Sequence, residues 1–349
     1  MDTQHRSHQD YTLGWICALP KEQTAAKAML DQIHPDLPKS ANDDNTYSLG
    51  SIGEHNIVIA CLPKDTVGTN EAAIVAAQML NTFPSIKIGL MVGIGGGIPP
   101  KIRLGDVVVG TQVIQWDFGK AGINSSFERT SAIQRPPRAL RTAVSRLETE
   151  HDMHGPKISQ YLHIMKEKWP NLAPKFGWSE ALSDPLTSPG NVNSSQSTNK
   201  YNLLASWLNL VPNYSWIEYL KYPLRASGNS GGLGTKRVIS VQRKPGDLQV
   251  HYGLVASGNQ VIKDAKFRDS LNESLGGKVL CVEMEAAGLM SFPYIVIRGI
   301  CDYADARKND DWQEYAATVA GACAKELLGY VQPSEVDKER PIREILSQG

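Results

Sequence analysis

No two of the five cysteines are spaced as C-x-x-C, and no apolar run reaches the roughly 20 residues that cross a bilayer. There is no net charge either: 36 basic residues face 36 acidic ones. Each absence excludes a class. Cys17, Cys61, Cys281, Cys301 and Cys323 are scattered, mostly within apolar runs, which argues for reduced core thiols rather than a disulfide scaffold or a zinc site. The uncharged stretch Ile88 to Pro100 is broken by five Gly and two Pro. The first ten residues are polar, without the apolar stretch of a signal peptide. Zero formal charge gives no electrostatic reason to expect a nucleic-acid or membrane partner. The expectation is a cytoplasmic chain.

What is present suits a folded enzyme-sized unit. Apolar residues make up 41% of the 349, enough for a sizeable core, and the length fits one large α/β domain or two average ones. Extended and helical patterns alternate. Tyr11 to Leu19 reads as a strand, followed by a helix over Lys21 to Ile33 with Ala25, Ala26, Met29, Leu30 and Ile33 at helical spacing. Tyr47 to Ile52 and Asn56 to Leu62 read as strands, and Thr69 to Phe83 as a helix with Ile74, Ala77, Met79 and Leu80 available for its stripe. The buried strand Ile86 to Val92 runs into a glycine-rich loop, Gly93 to Gly97. Further strands are expected at Val107 to Val109, Val113 to Trp116, Val250 to Ser257, Lys278 to Cys281 and Tyr294 to Ile300, with helices at Arg138 to His151, Lys263 to Leu275 and Trp312 to Leu328. Such alternation predicts an α/β domain with a mixed sheet covered on both faces.

Residues 10–330 are expected to form a single domain. Within it, 155–246 lacks a clear period and is polar at Thr187 to Asn199, so it reads as a partly flexible insertion with one short helix around Leu203 to Leu220. Residues 331–349 read as a charged linker or frayed end.

Four places carry candidate chemistry, all at strand exits, where open α/β folds place ligands. Gly95 and Gly96 lie in a loop that permits close approach of a ligand to backbone N–H groups, or is simply a tight turn. It is neither a Walker A loop nor a dinucleotide fingerprint, because Pro99-Pro100 prevents an immediate helix. Glu283, Met284 and Glu285 precede Ala286-Ala287 at the apparent start of a helix. A carboxylate there can take both hydroxyls of a ribose diol, or merely sit on the first helical turn. Asp302 ends the strand that contains Arg298, and could equally pair with it. Glu22 follows the first strand, where an ordinary first-turn acid also fits.

Together, Ile16 to Glu22, Gly93 to Gly97, Gly253 to Gly258, the V-E-M-E-A-A run Val282 to Ala287 and the R-x-x-C-D run Arg298 to Asp302 resemble the purine nucleoside phosphorylase and nucleosidase superfamily. In detail they are similar to its fungal members found at the head of ankyrin-repeat or NLR receptor-like chains. The resemblance spans about Tyr11 to Leu328 apart from the insertion. It implies a three-layer α/β fold with a central mixed sheet flanked by helices, a homo-oligomer, and no cofactor or metal. It also implies roles. Asp302 matches the acid that protonates N7 of the purine, Glu285 and Met284 match residues holding the ribose, and Asn259, Gln260 and Val261 stand near the base. Where phosphorylases keep a phosphate-binding arginine, this chain has Ala18-Leu19-Pro20-Lys21-Glu22. Glu22 matches the glutamate that hydrolytic members use to orient water, with Arg298 and Glu283 completing the water site. The expected activity is an N-ribosyl hydrolase taking a purine nucleoside, adenosine first, then inosine or guanosine, with water as co-substrate. Two rivals are a phosphorylase that holds phosphate through Arg103, Lys21 or another basic residue that the motifs do not place, and a non-catalytic nucleoside-sensing module.

Overall fold

The computed structural model describes residues 6–38, 40–123, 127–186 and 247–347. The chain divides into two compact units, Met1–Asp184 with Arg243–Gly349, and Pro185–Gln242. All the elements named below belong to the first. The helix expected around Leu203 to Leu220 lies outside the described residues.

In chain order the elements are β1 (Leu13–Cys17), α1 (Pro20–Met29), β2 (Gln32–His34), β3 (Tyr47–Ile52), β4 (His55–Cys61), α2 (Thr69–Thr82), β5 (Ile88–Gly97) and β6 (Val107–Gln115). A small hairpin, β7 (Gly119–Ala121) and β8 (Phe127–Arg129), leads to α3 (Arg138–His154), α4 (Ile158–Lys168) and α5 (Ala173–Phe176). Then come β9 (Val250–Ser257), α6 (Ala265–Ser274), β10 (Val279–Glu283), β11 (Tyr294–Asp302), α7 (Gln313–Leu328), α8 (Pro333–Lys338) and α9 (Ile342–Leu346). Nine strands form one mixed sheet in the order β10-β9-β6-β11-β5-β1-β4-β3-β2. The sheet also folds back on itself, because β10 pairs antiparallel with the far end of β5, Cys281 opposite Gly97 and Val282 opposite Gly96.

The central strands are apolar at every position because both faces are covered. Along β1, Leu13, Trp15 and Cys17 face the core under α1, α3, α4 and α7, while Ile16 faces the core under α2. The same alternation recurs in β4, with Ile57 and Ile59 on one side and Val58 and Ala60 on the other. Fourteen of the sixteen residues of α7 are buried, so it is a central helix rather than an amphipathic one. Its alanines let it lie close to both the sheet and α1. A third apolar cluster, including Trp116, Leu254, Ile262, Leu271 and Val282, sits beside α6. All five cysteines are free thiols, and no helix among the described residues is long and apolar enough to cross a membrane.

The three-layer α/β architecture is as expected, but several local readings change. Gly93 to Gly97 is not a loop: it is the second half of β5, kept extended by pairing with β11 and β10. Glu283 closes β10, and the acids lead into a single 3-10 turn, Ala286–Leu289, not a helix. Helix α1 ends at Met29, and Ile33 sits exposed in β2, paired with Gly50. On α2 the buried stripe is Ala72, Val75, Ala76, Met79 and Leu80, while Ile74 and Ala77 face solvent. An Ala-rich helix offers two apolar stripes, and tertiary packing selects between them.

Of the span 155–246, residues 158–176 form α4 and α5 and bury Ile158, Leu162, Met165 and Phe176 in the main core. The described part of the tail, to residue 347, is docked rather than frayed. Val336 and Ile342 are buried, and the Ile342 N–H donates to the Ile86 carbonyl at 2.8 Å.

Two glycines give contrasting tests of close packing. A Cβ on Gly299 of β11 would overlap the Ala316 carbonyl of α7, whereas on Gly321 the nearest atom, Met29 Cγ, stands at an ordinary 3.5 Å. Gly299→Ala is expected to destabilise by about 3 kcal/mol in denaturant melts. Gly321→Ala is expected to be neutral or to stabilise by up to about 1 kcal/mol, the helix-propensity gain.

Candidate active site

Strand β1 delivers the chain to Pro20 at the first turn of α1, where Glu22 occupies the third helical position. Leu19 at the N-cap has no side-chain oxygen to satisfy the helix's free N–H groups, so Glu22 turns back. One carboxylate oxygen accepts from the Ala18 and Leu19 N–H groups at 2.6 and 3.0 Å. The other accepts from the Ile94 N–H of β5 at 2.8 Å. It is a first-turn acid, as local spacing allows, but one buried over the middle of the sheet.

The glycines of β5 explain themselves here. A Cβ on Gly93 would overlap the Glu22 carboxylate, and one on Gly96 would lie 2.9 Å from Asp302 Oδ1. The expectation that this stretch leaves N–H groups free for a ligand is replaced by a steric reason. Glycine makes room for two carboxylates, and the Ile94 N–H is already used by one of them.

Arg298 of β11 is fully buried. Its guanidinium pairs with Glu283, lies 3.5 Å from Glu285 Oε2 and donates to the Ile94 carbonyl at 3.2 Å. Its Nε has no partner among the described residues. Glu283 also accepts from the backbone N–H groups of Glu285 and Ala286, both across the turn after β10. The Gly68 N–H, at the start of α2, approaches Glu285 Oε1 at 3.4 Å. Burial opposes the charge on Arg298, yet Glu283, Glu285 and Glu22 hold its affinity for its proton above the usual value. Burial pushes Glu22 upward against the pull of Arg298 and its three N–H donors. Glu285 is pushed up to about 7 by burial, opposed by Arg298 and reinforced by the neighbouring Glu283 and Glu22.

Asp302 stands at the end of β11. Oδ1 accepts from the Ala304 N–H at 2.8 Å, while Oδ2 lies 3.1 Å from Lys308 Nζ and 3.2 Å from the Cys301 thiol. Ala304 has φ +51°, a left-handed conformation that a residue with a Cβ rarely adopts. The pairing of Asp302 with Arg298 left open by the sequence is not made; Lys308 takes that place.

These groups surround a cavity of about 200 Å³ lined by Glu22, Gly95, Gly96, Glu283, Met284, Glu285, Gln260, Val261 and Asp302, among others. It is smaller than the roughly 300–1,000 Å³ of drug-sized pockets, a space for one small molecule. Arg298 lies behind its wall. Asn259 is exposed and its side chain is spent on α2, accepting from the Thr69 N–H and hydroxyl at 3.1 and 2.9 Å. Lys21 and Arg103, the cations considered for phosphate, are engaged elsewhere: Lys21 with Gln313 and Glu314, Arg103 with Asp184. Lys308, Gln313, Trp116 and Val67 line the cavity without having been singled out in the sequence. Among the described residues no cluster of His, Cys, Asp and Glu could hold a metal ion.

Residues 12–161 match the family model described as Phosphorylase superfamily. A nucleotide-binding leucine-rich repeat (NLR)-like protein of Hyaloscypha variabilis is 41% identical over 348 residues, 95% of this chain and 30% of that protein. The chain therefore spans about a third of that relative. A 5′-methylthioadenosine/S-adenosylhomocysteine nucleosidase of Mycobacterium bovis is 23% identical over 91% of this chain and 95% of its own length. Among solved structures, the Helicobacter pylori enzyme of the same name superposes with a TM-score of 0.55 at 14% identity, covering 92% of this chain and 98% of that one. The futalosine hydrolase of Helicobacter pylori gives 0.55 at 14%, over 93% and 99%. The superfamily read from the motifs is borne out, and so is the fold.

The charge balance around Arg298 has a measurable consequence. Glu22 and Glu285 keep protons in the folded state at pH values where the unfolded chain has lost them, so stability falls as pH rises from about 5 through about 7. Arg298→Met removes the countercharge and is expected to destabilise by about 3–5 kcal/mol above that range. The deficit should narrow as pH falls toward about 5, where Glu285 is protonated. Denaturant melts at several pH values read this directly, and a deficit independent of pH would show that the charge is not the cause.

Proposed function

We propose that this phosphorylase-superfamily chain is a purine nucleoside hydrolase that splits the N-glycosidic bond to free base and ribose. One observation carries the reading. Three buried glutamates, Glu22, Glu283 and Glu285, share one guanidinium beside the cavity, where a phosphorolytic enzyme needs positive charge. A phosphate dianion would meet like charges in a partly desolvated site, whereas water would meet hydrogen-bond acceptors. The nucleosidase names of the mycobacterial and Helicobacter relatives support the same choice.

In this mechanism the ionised Glu285 accepts the ribose hydroxyls and Met284 packs on the sugar. Asp302 gives a proton to N7 of the purine, and the C1′–N9 electron pair leaves with a base that is now neutral. Positive charge growing on the ribosyl ring is stabilised by the surrounding carboxylates. Water attacks C1′ from the Glu22 side, and Glu22, whose affinity for a proton is raised by burial, takes the proton that water releases. Gln260 and Val261 flank the base. Pyrimidine nucleosides lack N7 and gain nothing from Asp302. Adenosine is the first substrate to test, followed by inosine and guanosine.

The purified chain is expected to release base and ribose from one of these nucleosides at a rate indifferent to added phosphate. Ribose 1-phosphate formed only when phosphate is present would overturn the hydrolase, and tight binding without cleavage would leave a sensing module. Glu22→Gln is expected to lower kcat by about 10²–10⁴ with KM little changed.

A further inference from the structure

Lys308 is the one lysine or arginine among the described residues that line the cavity. It sits six positions beyond Asp302, across the turn made by Ala304 at φ +51° and closed by the Lys308 N–H on the Asp305 carbonyl at 3.2 Å. Its ammonium lies 3.1 Å from Asp302 Oδ2, with 30% of the side chain still open to solvent. Every described neighbour of the Asp302 carboxyl is a donor: the Ala304 N–H, the Cys301 thiol and the Lys308 ammonium. An Asp302 hydroxyl would find only the weak sulfur acceptor of Cys301 among them. The transferable proton of this pair therefore rests on Lys308, while the leaving purine requires it at Asp302.

We propose that Lys308 is the proton source for leaving-group departure, feeding the purine through Asp302. This rests on the hydrolase reading above and adds a residue to it. As the C1′–N9 bond breaks, its electron pair passes to the purine. N7 takes a proton as an Asp302 O–H breaks, and that O–H is supplied by an N–H of Lys308. The products are a neutral base, an Asp302 carboxylate and a Lys308 amine. The amine regains a proton from solvent on its exposed side as Glu22 gives its own proton back to solvent, so the cycle consumes no net proton. The purine anion that would otherwise leave is itself a base of roughly amine strength, so the transfer is near balance. The other charged or titratable groups near Lys308 are Cys301 and Asp310. Asp305 is occupied by Arg307, whose Nη2 stands 2.9 Å away.

Two substitutions and two leaving groups decide the matter. The full chain and its Lys308→Met and Lys308→Arg variants would be assayed on adenosine (or inosine or guanosine, if turned over faster) and on 4-nitrophenyl β-D-ribofuranoside. The nitrophenolate departs without needing a proton. Arginine keeps the positive charge beside Asp302 but does not give up a proton. Both variants are expected to lose about 10²-fold or more in kcat on the purine nucleoside and less than about threefold on the nitrophenyl riboside. Rescue of purine turnover by Lys308→Arg would overturn the proposal in favour of charge alone. Equal losses on both substrates would reduce Lys308 to a structural partner. A wild-type chain that cleaves no purine nucleoside would instead overturn the hydrolase reading, and this inference with it.

Discussion

A single guanidinium, buried on the central strand β11, sets the terms for the whole site. Arg298 has almost no solvent to hydrate it, so its charge persists only because Glu283 pairs with it and Glu285 and Glu22 stand close by. The dependence runs both ways. Three carboxylates in so small a volume repel one another, and only the arginine between them keeps that repulsion tolerable. The backbone completes the arrangement, with N–H groups from three separate segments aimed at the acids: Ala18 and Leu19 after β1, Ile94 in β5, and the turn after β10. The sheet order places these segments together, since β5 lies between β1 and β11 and pairs at its far end with β10.

Much of this was legible in the sequence where one residue type answers to one physical demand. Continuous apolar runs located the central strands because both their faces are covered, and apolar residues at helical spacing located the helices packed on them. The acids at positions 22, 283, 285 and 302 were recognisable because each follows an apolar strand, and strand ends converge in a parallel arrangement. What failed was conformation where glycine or alanine dominates. Gly93 to Gly97 reads as a loop by composition, yet strand pairing on both sides holds it extended. On α2 the sequence places Met79 and Leu80 correctly but Ile74 and Ala77 on the wrong face, for a related reason: alanines scarcely distinguish one face from another.

Other features depend on partners far away in the chain, which local pattern does not reveal. Lys308 lies in a polar stretch that looks like any solvated turn, and only the left-handed Ala304 brings it back to Asp302. The resemblance places Asn259 near the base, and the structure adds a long-range partner, Thr69, 190 residues away, which donates to its side-chain oxygen. Ile342, in a charged tail, is held by Ile86, and no periodicity in five residues of helix foretells that.

The glycines of β5 carry one more implication. Gly93 and Gly96 are each bare because a carboxylate occupies the space a methyl group would need. Each glycine and its acid therefore form an evolutionary couple. A lineage that discarded Glu22 or Asp302 would lose the tightest of the contacts that keep the matching glycine bare, leaving Arg298 against position 93 and Ala304 against position 96. A lineage that retains both bare positions carries a steric record of both acids. In a descendant that no longer kept the two acids, that record would decay on the sheet's floor before the fold itself did.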